Sequence, residues 1–193
     1  MGDSEQVVVR IEPRIKNIDP EKWDSCANPM RSDIDSGRAY NPFVSHAFLC
    51  ALEESGSATP DTGWAPQHLV LEDTDGSALA CMPCYLKSHS QGEYVFDYGW
   101  ADAFERAGGR YYPKLQCSVP FTPVTGRRLL VPDVPDAHER ERYLLNGAAT
   151  LLDRYKASSL HVTFLTKGEW DRAGDTGLLR RMDRQFHWCN QGF

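Results

Sequence analysis

The residues of this chain best suited to chemistry crowd into one stretch, Tyr85 to Gly126, which reads YLKSHSQGEYVFDYGWADAFERAGGRYYPKLQCSVPFTPVTG. It is dense in Tyr, Trp, Gly, His and Lys, and it follows neither the alternation of a strand nor the period of a packed helix. Sequence normally follows packing; where it does not, a site is one expected reason. Its first part runs Lys87-Ser-His-Ser-Gln-Gly-Glu93-Tyr94 after an apolar segment. A general base needs a pKa that can sit near neutrality, which His89 has unperturbed and Glu93 acquires on burial. The competing reading is a polar hairpin loop. The aromatic residues that crowd it (Tyr94, Phe96, Tyr98, Trp100) make a solvated turn the less natural of the two.

A second pattern overlaps the first. From Arg106 to Pro132 there are five basic residues (Arg106, Arg110, Lys114, Arg127, Arg128) and no Asp or Glu, in a chain of net charge -6. The island suggests a local anion site. Its densest part, Pro120-Phe-Thr-Pro-Val-Thr-Gly-Arg-Arg128, is read as a strand entering a loop. Loop N–H groups can form an anion nest there, Gly126 permits close approach, and the forks of Arg127 and Arg128 suit phosphate oxygens, with Thr122 and Thr125 adding hydroxyls. The alternative is a proline-rich surface loop with solvated arginines. Neither GxxxxGK[ST] nor GxGxxG occurs.

Other candidates are weaker. His46 falls on the less apolar face of a helical segment, as a base turned into a cleft or as an ordinary surface histidine. Cys81-Met-Pro-Cys84 is a CxxC, but it lies inside an apolar strand candidate and has no second pair of ligands at zinc spacing. Buried reduced thiols without metal are the expectation.

These residues have to be positioned by a small set of elements. A strand is predicted over Val7 to Ile15, and a short helix opens at Asp19-Pro20. Residues 28 to 41 read as loop. Asn41-Pro42 starts a helix that Gly56 ends, with Val44, Phe48, Ala51 and Leu52 on its apolar face and His46, Cys50 and Glu53 on another. Strands follow over Gln67–Leu71 and Leu79–Leu86, joined by a turn at Asp75-Gly76. A short strand at Val95–Tyr98, a short helix at Ala101–Ala107 and a strand at Leu115–Phe121 come next. Asp136 and Glu139 resemble a capping box for the best helix of the chain, whose apolar face is Leu144, Ala148, Leu151, Leu152 and Tyr155. A strand at Leu160–Leu165, a helix at Glu169–Met182 and a strand at Gln185–Cys189 complete the order. It suits a single α/β (α+β) mixed sheet covered by helices.

Composition sets the outer limits. A chain of 193 residues fits one domain, and its apolar and charged content is that of an ordinary globular protein. Net acidity argues against broad binding to DNA or RNA. The acidic N-terminus lacks a signal-peptide pattern, and the longest apolar run, Ala78 to Leu86, is too short for a membrane helix. The chain reads as cytoplasmic, with no DNA or membrane partner.

Four segments carry a family resemblance: NPFVSHAFLCALEESGS, GWAPQHLVLED, the stretch from Tyr85 to Leu130, and QFHWCNQGF. Together they resemble the FemAB-like predicted N-acyltransferases of the GNAT superfamily, from Asn41 to Phe193. The resemblance implies a GNAT-like fold, a mostly antiparallel mixed sheet flanked by helices, and transfer of an acyl or aminoacyl group to an amine. The implied co-substrate is acyl-CoA, or aminoacyl-tRNA, and no cofactor is held permanently. It also implies a second half beyond Phe193, so that this chain reads as one GNAT-like domain, 1–193, whose partner is a missing half or another copy. The usual pyrophosphate loop of the superfamily is not recognisable here.

On this reading Glu93, His89 or His46 supplies the base. Thr122, Thr125, Gly126, Arg127 and Arg128 hold donor phosphates. Lys87, Tyr94, Tyr98, Trp100, Tyr111, Tyr112 and Lys114 shape the acceptor pocket, in a cleft joining residues 89–98 to residues 122–128. Amine attack on a thioester needs positioning, proton removal and oxyanion stabilisation, without a covalent enzyme intermediate. The alternative is a non-catalytic recognition or scaffolding half that needs a second domain for activity.

Overall fold

The computed structural model describes residues 6–29, 40–184, 186, 188, 189, 191 and 192. Most of the expected loop 28–41 lies outside them. So do Gln185 and His187 of the expected last strand, whose Phe186, Trp188 and Cys189 are in no strand.

The class is mixed α/β, with mostly antiparallel pairing. In place of the single expected sheet, the described residues form two. Strands β1 (Val8–Glu12), β3 (His68–Glu72) and β4 (Ala78–Met82) form one, in the order β1-β3-β4. Strands β2 (Trp64–Pro66), β5 (Tyr85–Lys87), β6 (Lys114–Cys117) and β7 (Leu160–Val162) form the other, in that order, with β6 and β7 parallel. The split has a local cause. β2–β3 and β4–β5 are two arms of one long hairpin, and each arm carries a proline at the break, Pro66 and Pro83. A proline gives the ladder no N–H. Pairing is bridged there by Gln67 N–H donating to the Cys84 carbonyl at 2.8 Å.

Helix α4 (Ala137–Tyr155) covers one side of the hairpin. Leu69, Leu71, Ala80, Met82, Leu115 and Cys117 meet Leu144, Leu145, Ala148 and Leu151 in one core. Tyr155 is more exposed than its expected place on that face implies. Its hydroxyl donates to Gln67 Oε1 at 2.8 Å. Gly147 lets the helix come close, since a Cβ there would lie 2.7 Å from Val9 Cγ1. Asp136 does not close a capping box. Its carboxylate accepts from Arg140 Nε at 2.8 Å instead.

On the other side of the first sheet, helices α1 (Pro20–Ala27) and α2 (His46–Glu54) pack Trp23, Cys26 and Leu49 on Val70 and Cys81. α2 starts later than expected. Pro42–Val44 is a 3-10 turn, and Ser45 caps the helix by accepting from Phe48 N–H. Its buried face is His46 and Leu49, while Ala51 points to solvent.

The expected strand at Val95–Tyr98 is absent. Asp97 is instead the N-cap of α3 (Tyr98–Arg106), a start that overrides the β-propensity of Val95, Phe96 and Tyr98. Helix α5 (Lys167–Asp175) opens with a true capping box of Thr166 and Glu169. Buried Glu169 also accepts from the N–H groups of Arg128 and Leu129, each at 2.9 Å.

Candidate functional site

The site begins with an alternation. Along β5 and β6 the sequence is Tyr-Leu-Lys and Lys-Leu-Gln-Cys. Cross-strand pairing puts Leu86, Leu115 and Leu160 in one row and Lys87 opposite Lys114, with Tyr85 opposite Gln116 and Gln116 opposite His161. Side chains that face each other across a ladder share a face. One face of the second sheet is therefore apolar and packs toward α4. The other carries Trp64, Tyr85, Lys87, Lys114, Gln116 and His161, and all but His161 are fully buried. The excursion between β5 and β6, residues 88–113, brings polar groups to that face.

Lys114 is the hub. Its Nζ donates to Asp97 Oδ2 at 2.5 Å, Ser90 Oγ at 2.7 Å and Glu93 Oε2 at 2.8 Å, which uses all three of its protons. Tyr111 donates to Asp97 Oδ2 at 2.8 Å, and the hydroxyls of Ser90 and Tyr112 are 2.7 Å apart. Lys87 is less well supplied. It makes one hydrogen bond, to the Gln91 carbonyl at 3.2 Å, stands 4.0 Å from Glu93 Oε1, and lies 3.4 Å above the Trp64 ring. Among the described residues six buried side-chain polar atoms have no hydrogen-bond partner. Four of them, Tyr85 OH, Glu93 Oε1, Asp97 Oδ1 and Gln116 Oε1, belong to this face or to its cover. Unsatisfied buried groups call for an explanation, and a catalytic role is one.

Burial sets the titration of the network. Desolvation pulls the Lys87 amine down to about 7, against the opposing attraction of Glu93. Desolvation also raises the Glu93 carboxyl, although Lys114 works against it. Asp97 is held below its usual value, because hydrogen bonds from Lys114, Ser90 and Tyr111 outweigh its desolvation. His161 falls to about 4, from burial and then from the charge of Lys114.

Above this network is a groove of about 370 Å³ lined by Ser90, Gln91, Gly92, Tyr94, Val95, Phe96, Tyr98 and Phe121. Tyr94 (φ 57°) and Phe121 (φ 59°) hold left-handed backbone, which side chains other than glycine rarely adopt. Such strain, about 1–3 kcal/mol each, collects at functional sites. Gly92 is required by contact as well as by its φ of 79°, since a Cβ there would sit 2.5 Å from Phe121 and 3.3 Å from Trp64.

A buried lysine–carboxylate network thus lies beneath an aromatic groove, both built from the most distinctive stretch of the sequence. A family model described as peptidoglycan biosynthesis/recognition, FemAB-like, matches residues 14–193. The chain belongs to the FemAB-like family. Neither the curated proteins nor the solved structures gave a match.

In this FemAB-like chain the expected site residues divide into two groups. Lys87, Glu93, Tyr111, Tyr112 and Lys114 come together at the network, and Tyr94 and Tyr98 line the groove. Trp100 is exposed nearby, with the Arg181 guanidinium 4.8 Å from its ring. The rest are engaged elsewhere. His46 is buried in the α1–α2 core, its Nε2 3.0 Å from the carbonyls of Ile15 and Ile18. His89 turns away, with Nδ1 accepting from Gln91 N–H and the ring against Gly63. Arg127 donates to the carbonyls of Val131, Cys26 and Ala27, and buried Arg128 to those of Val124 and Arg127. Thr122 donates to the Pro120 carbonyl, Gly126 N–H to that of Phe164, and Thr125 is exposed.

The groove thus stops at Phe121 and does not include residues 122–128. Nor is the acid-free island a cluster in space. Arg106 pairs with Asp102, Lys114 with Glu93 and Asp97, and Arg110 donates to the Lys156 carbonyl. The acids that neutralise it come from just outside the island in sequence. Cys81 and Cys84 are buried free thiols, the latter pushed up to about 12 by desolvation. Sequence reasoning missed Ser90, Asp97 and Trp64. For Asp97 there was a signal, a lone carboxylate among aromatic residues in VFDYGW.

Proposed function

We propose that this FemAB-like chain transfers an acyl or aminoacyl group from a CoA-type donor to an amine at the Lys87–Glu93–Lys114 network. One observation carries the reading. One lysine is saturated by two carboxylates and a hydroxyl, while the second lysine and one oxygen each of Glu93 and Asp97 keep unused capacity beneath a groove. Such a site can accept a proton and hold a polar group without becoming covalently bound.

The acceptor nitrogen attacks the donor carbonyl carbon, the C–N bond forms, and the thiolate or alkoxide leaves. The proton lost by the amine passes to Glu93, directly or through Lys87. The ion pairs with Lys114 keep Glu93 and Asp97 in place, and the Tyr112 hydroxyl, turned from Ser90, offers a donor to the developing oxyanion. The aromatic walls Tyr94, Phe96 and Tyr98 hold the acceptor. Donor phosphates fall to the loop of Thr122, Thr125 and Gly126, where Thr125 is exposed and Thr122, Gly126, Arg127 and Arg128 join only by exchanging their carbonyl bonds. The free buried thiols agree with a reducing, cytoplasmic setting, and no helix among the described residues is long and apolar enough to cross a membrane.

A second reading, a recognition half that works with another domain or copy, is favoured by exposed apolar side chains. Phe96, Leu179, Met182 and Phe186 are each more than three-quarters exposed. Calorimetry with acetyl-CoA, longer acyl-CoAs and free CoA, joined to a turnover assay with primary amines, separates the two. Acyl transfer predicts saturable binding, and turnover that Glu93→Gln lowers by about 10²-fold or more with donor affinity kept. Binding without turnover for any CoA or aminoacyl donor supports the recognition reading.

A further inference from the structure

The underused amine of Lys87 has a second consequence, independent of acyl transfer. Lys87 and Lys114 face each other across β5 and β6, and their surroundings differ sharply. Lys114 spends every proton on carboxylate and hydroxyl oxygens. Lys87 has one carbonyl partner, an aromatic face at 3.4 Å, and a carboxylate oxygen at 4.0 Å that is itself without a hydrogen bond. A lysine is activated as a nucleophile by desolvation and by a neighbouring cation, and both conditions are met here. We propose that Lys87 is a covalent carbonyl-binding site, which takes small uncharged aromatic aldehydes or ketones from the groove as a Schiff base.

The surroundings suit each stage. The Lys87 Nζ lone pair forms a C–N bond to the carbonyl carbon, and the carbonyl oxygen takes up a proton from water. The amine proton then moves to that oxygen, water leaves, and a protonated imine remains. The balance is one amine, one carbonyl compound and one proton giving one iminium and one water. The product cation lies over the Trp64 ring, which attracts cations, and it faces the carboxylate oxygen Oε1 of Glu93.

The groove accounts for the class of ligand. Its walls are Tyr94, Phe96, Tyr98 and Phe121, with Ser90 and Gln91 as the polar contribution and no charged side chain. A keto acid would bring a carboxylate to a place where Lys114 has no proton left to offer. Gln91 links the two levels, since it lines the groove and its carbonyl holds Lys87. Besides Glu93 and Lys114, the ionisable groups near Lys87 are His89 on its own loop and Asp97 beyond Lys114.

The test is reductive trapping on the full chain. The protein is incubated with benzaldehyde and cyanoborohydride across a pH series, and benzylated lysines are quantified by peptide mass spectrometry. The expected result at pH 7 is Lys87 labelled about tenfold or more faster than the exposed Lys16, Lys22 and Lys167, with Glu93→Gln slowing Lys87 alone. Label confined to the exposed lysines, or Lys87 reacting no faster than they do, overturns the proposal. Because no acyl donor is present, that failure leaves the acyl-transfer reading untouched, and a failed turnover assay leaves this one untouched.

Discussion

The two sheets share a hairpin and differ in what they bury. The first sheet buries mainly apolar side chains, and its polar ones, Arg10 with Glu12 and Glu72 and His68 with Glu53, are paired. Leu69, Leu71, Ala80 and Met82 face α4, and Val70 and Cys81 face α1 and α2. The second has the same kind of apolar face toward α4, but its other face buries two lysines, a glutamine and a tyrosine beneath Glu93 and Asp97. Buried apolar area stabilises, at roughly 25 cal/mol per Å². A buried ion network tends to break even at best. The first sheet therefore carries stability, and the second gives some up to hold groups whose pKa values can be moved.

The largest expected effect comes from breaking the network at its hub. Lys114→Met leaves Glu93 and Asp97 buried without their cation and should cost about 3–5 kcal/mol in denaturant unfolding. Adding Glu93→Gln and Asp97→Asn to that variant should recover much of the loss. A single variant as stable as the parent would show that the two sheets do not differ in this way. On the first sheet, Leu71→Ala should cost about 2–5 kcal/mol through lost contacts and a cavity, with no change in the pH dependence of whatever the site does.

A smaller effect sharpens the contrast through pH. An unfolded chain binds a proton to His161 below its usual 6.5, whereas the folded chain binds it only below about 4. More protons are bound on unfolding between those values, so His161 makes stability fall as pH drops from 6.5 to 4. His161→Asn should flatten the curve in that window, and an unchanged slope there would count against the burial of His161 beside Lys114. The smallest effect on stability belongs to the groove wall. Phe96 is 79% exposed, and Phe96→Ala should shift unfolding by no more than about 0.5 kcal/mol while weakening amine acceptors in the turnover assay.

Much of this was legible in the sequence. The class, the turn at Asp75-Gly76 with its left-handed Gly76, and the long helix over Ala137–Tyr155 follow from local patterns. The stretch that broke every period is also the one that covers the polar face of the second sheet. What could not be read was pairing at a distance. Nothing local says that Lys87 lies opposite Lys114, or that Glu93 and Asp97 return to meet them. The arginines misled for the converse reason. Arg127 and Arg128 sit where a phosphate loop would put them, but their forks are taken by carbonyls of α1 and of their own loop. His46 looked like a surface residue by helical period, because the carbonyls of Ile15 and Ile18 that draw it inward are some 30 residues away.

Proton transfer at the second sheet requires Lys87 to lose its proton near neutral pH while Lys114 keeps its three partners. Titration of Lys87 by NMR, with carbon-13-labelled lysine and Lys87→Met to assign the signal, measures this without any ligand. A midpoint about 7 is the result expected. A midpoint near the usual lysine value of 10.5 would contradict it, and with it the claim that the buried polar face of the second sheet is built for proton transfer.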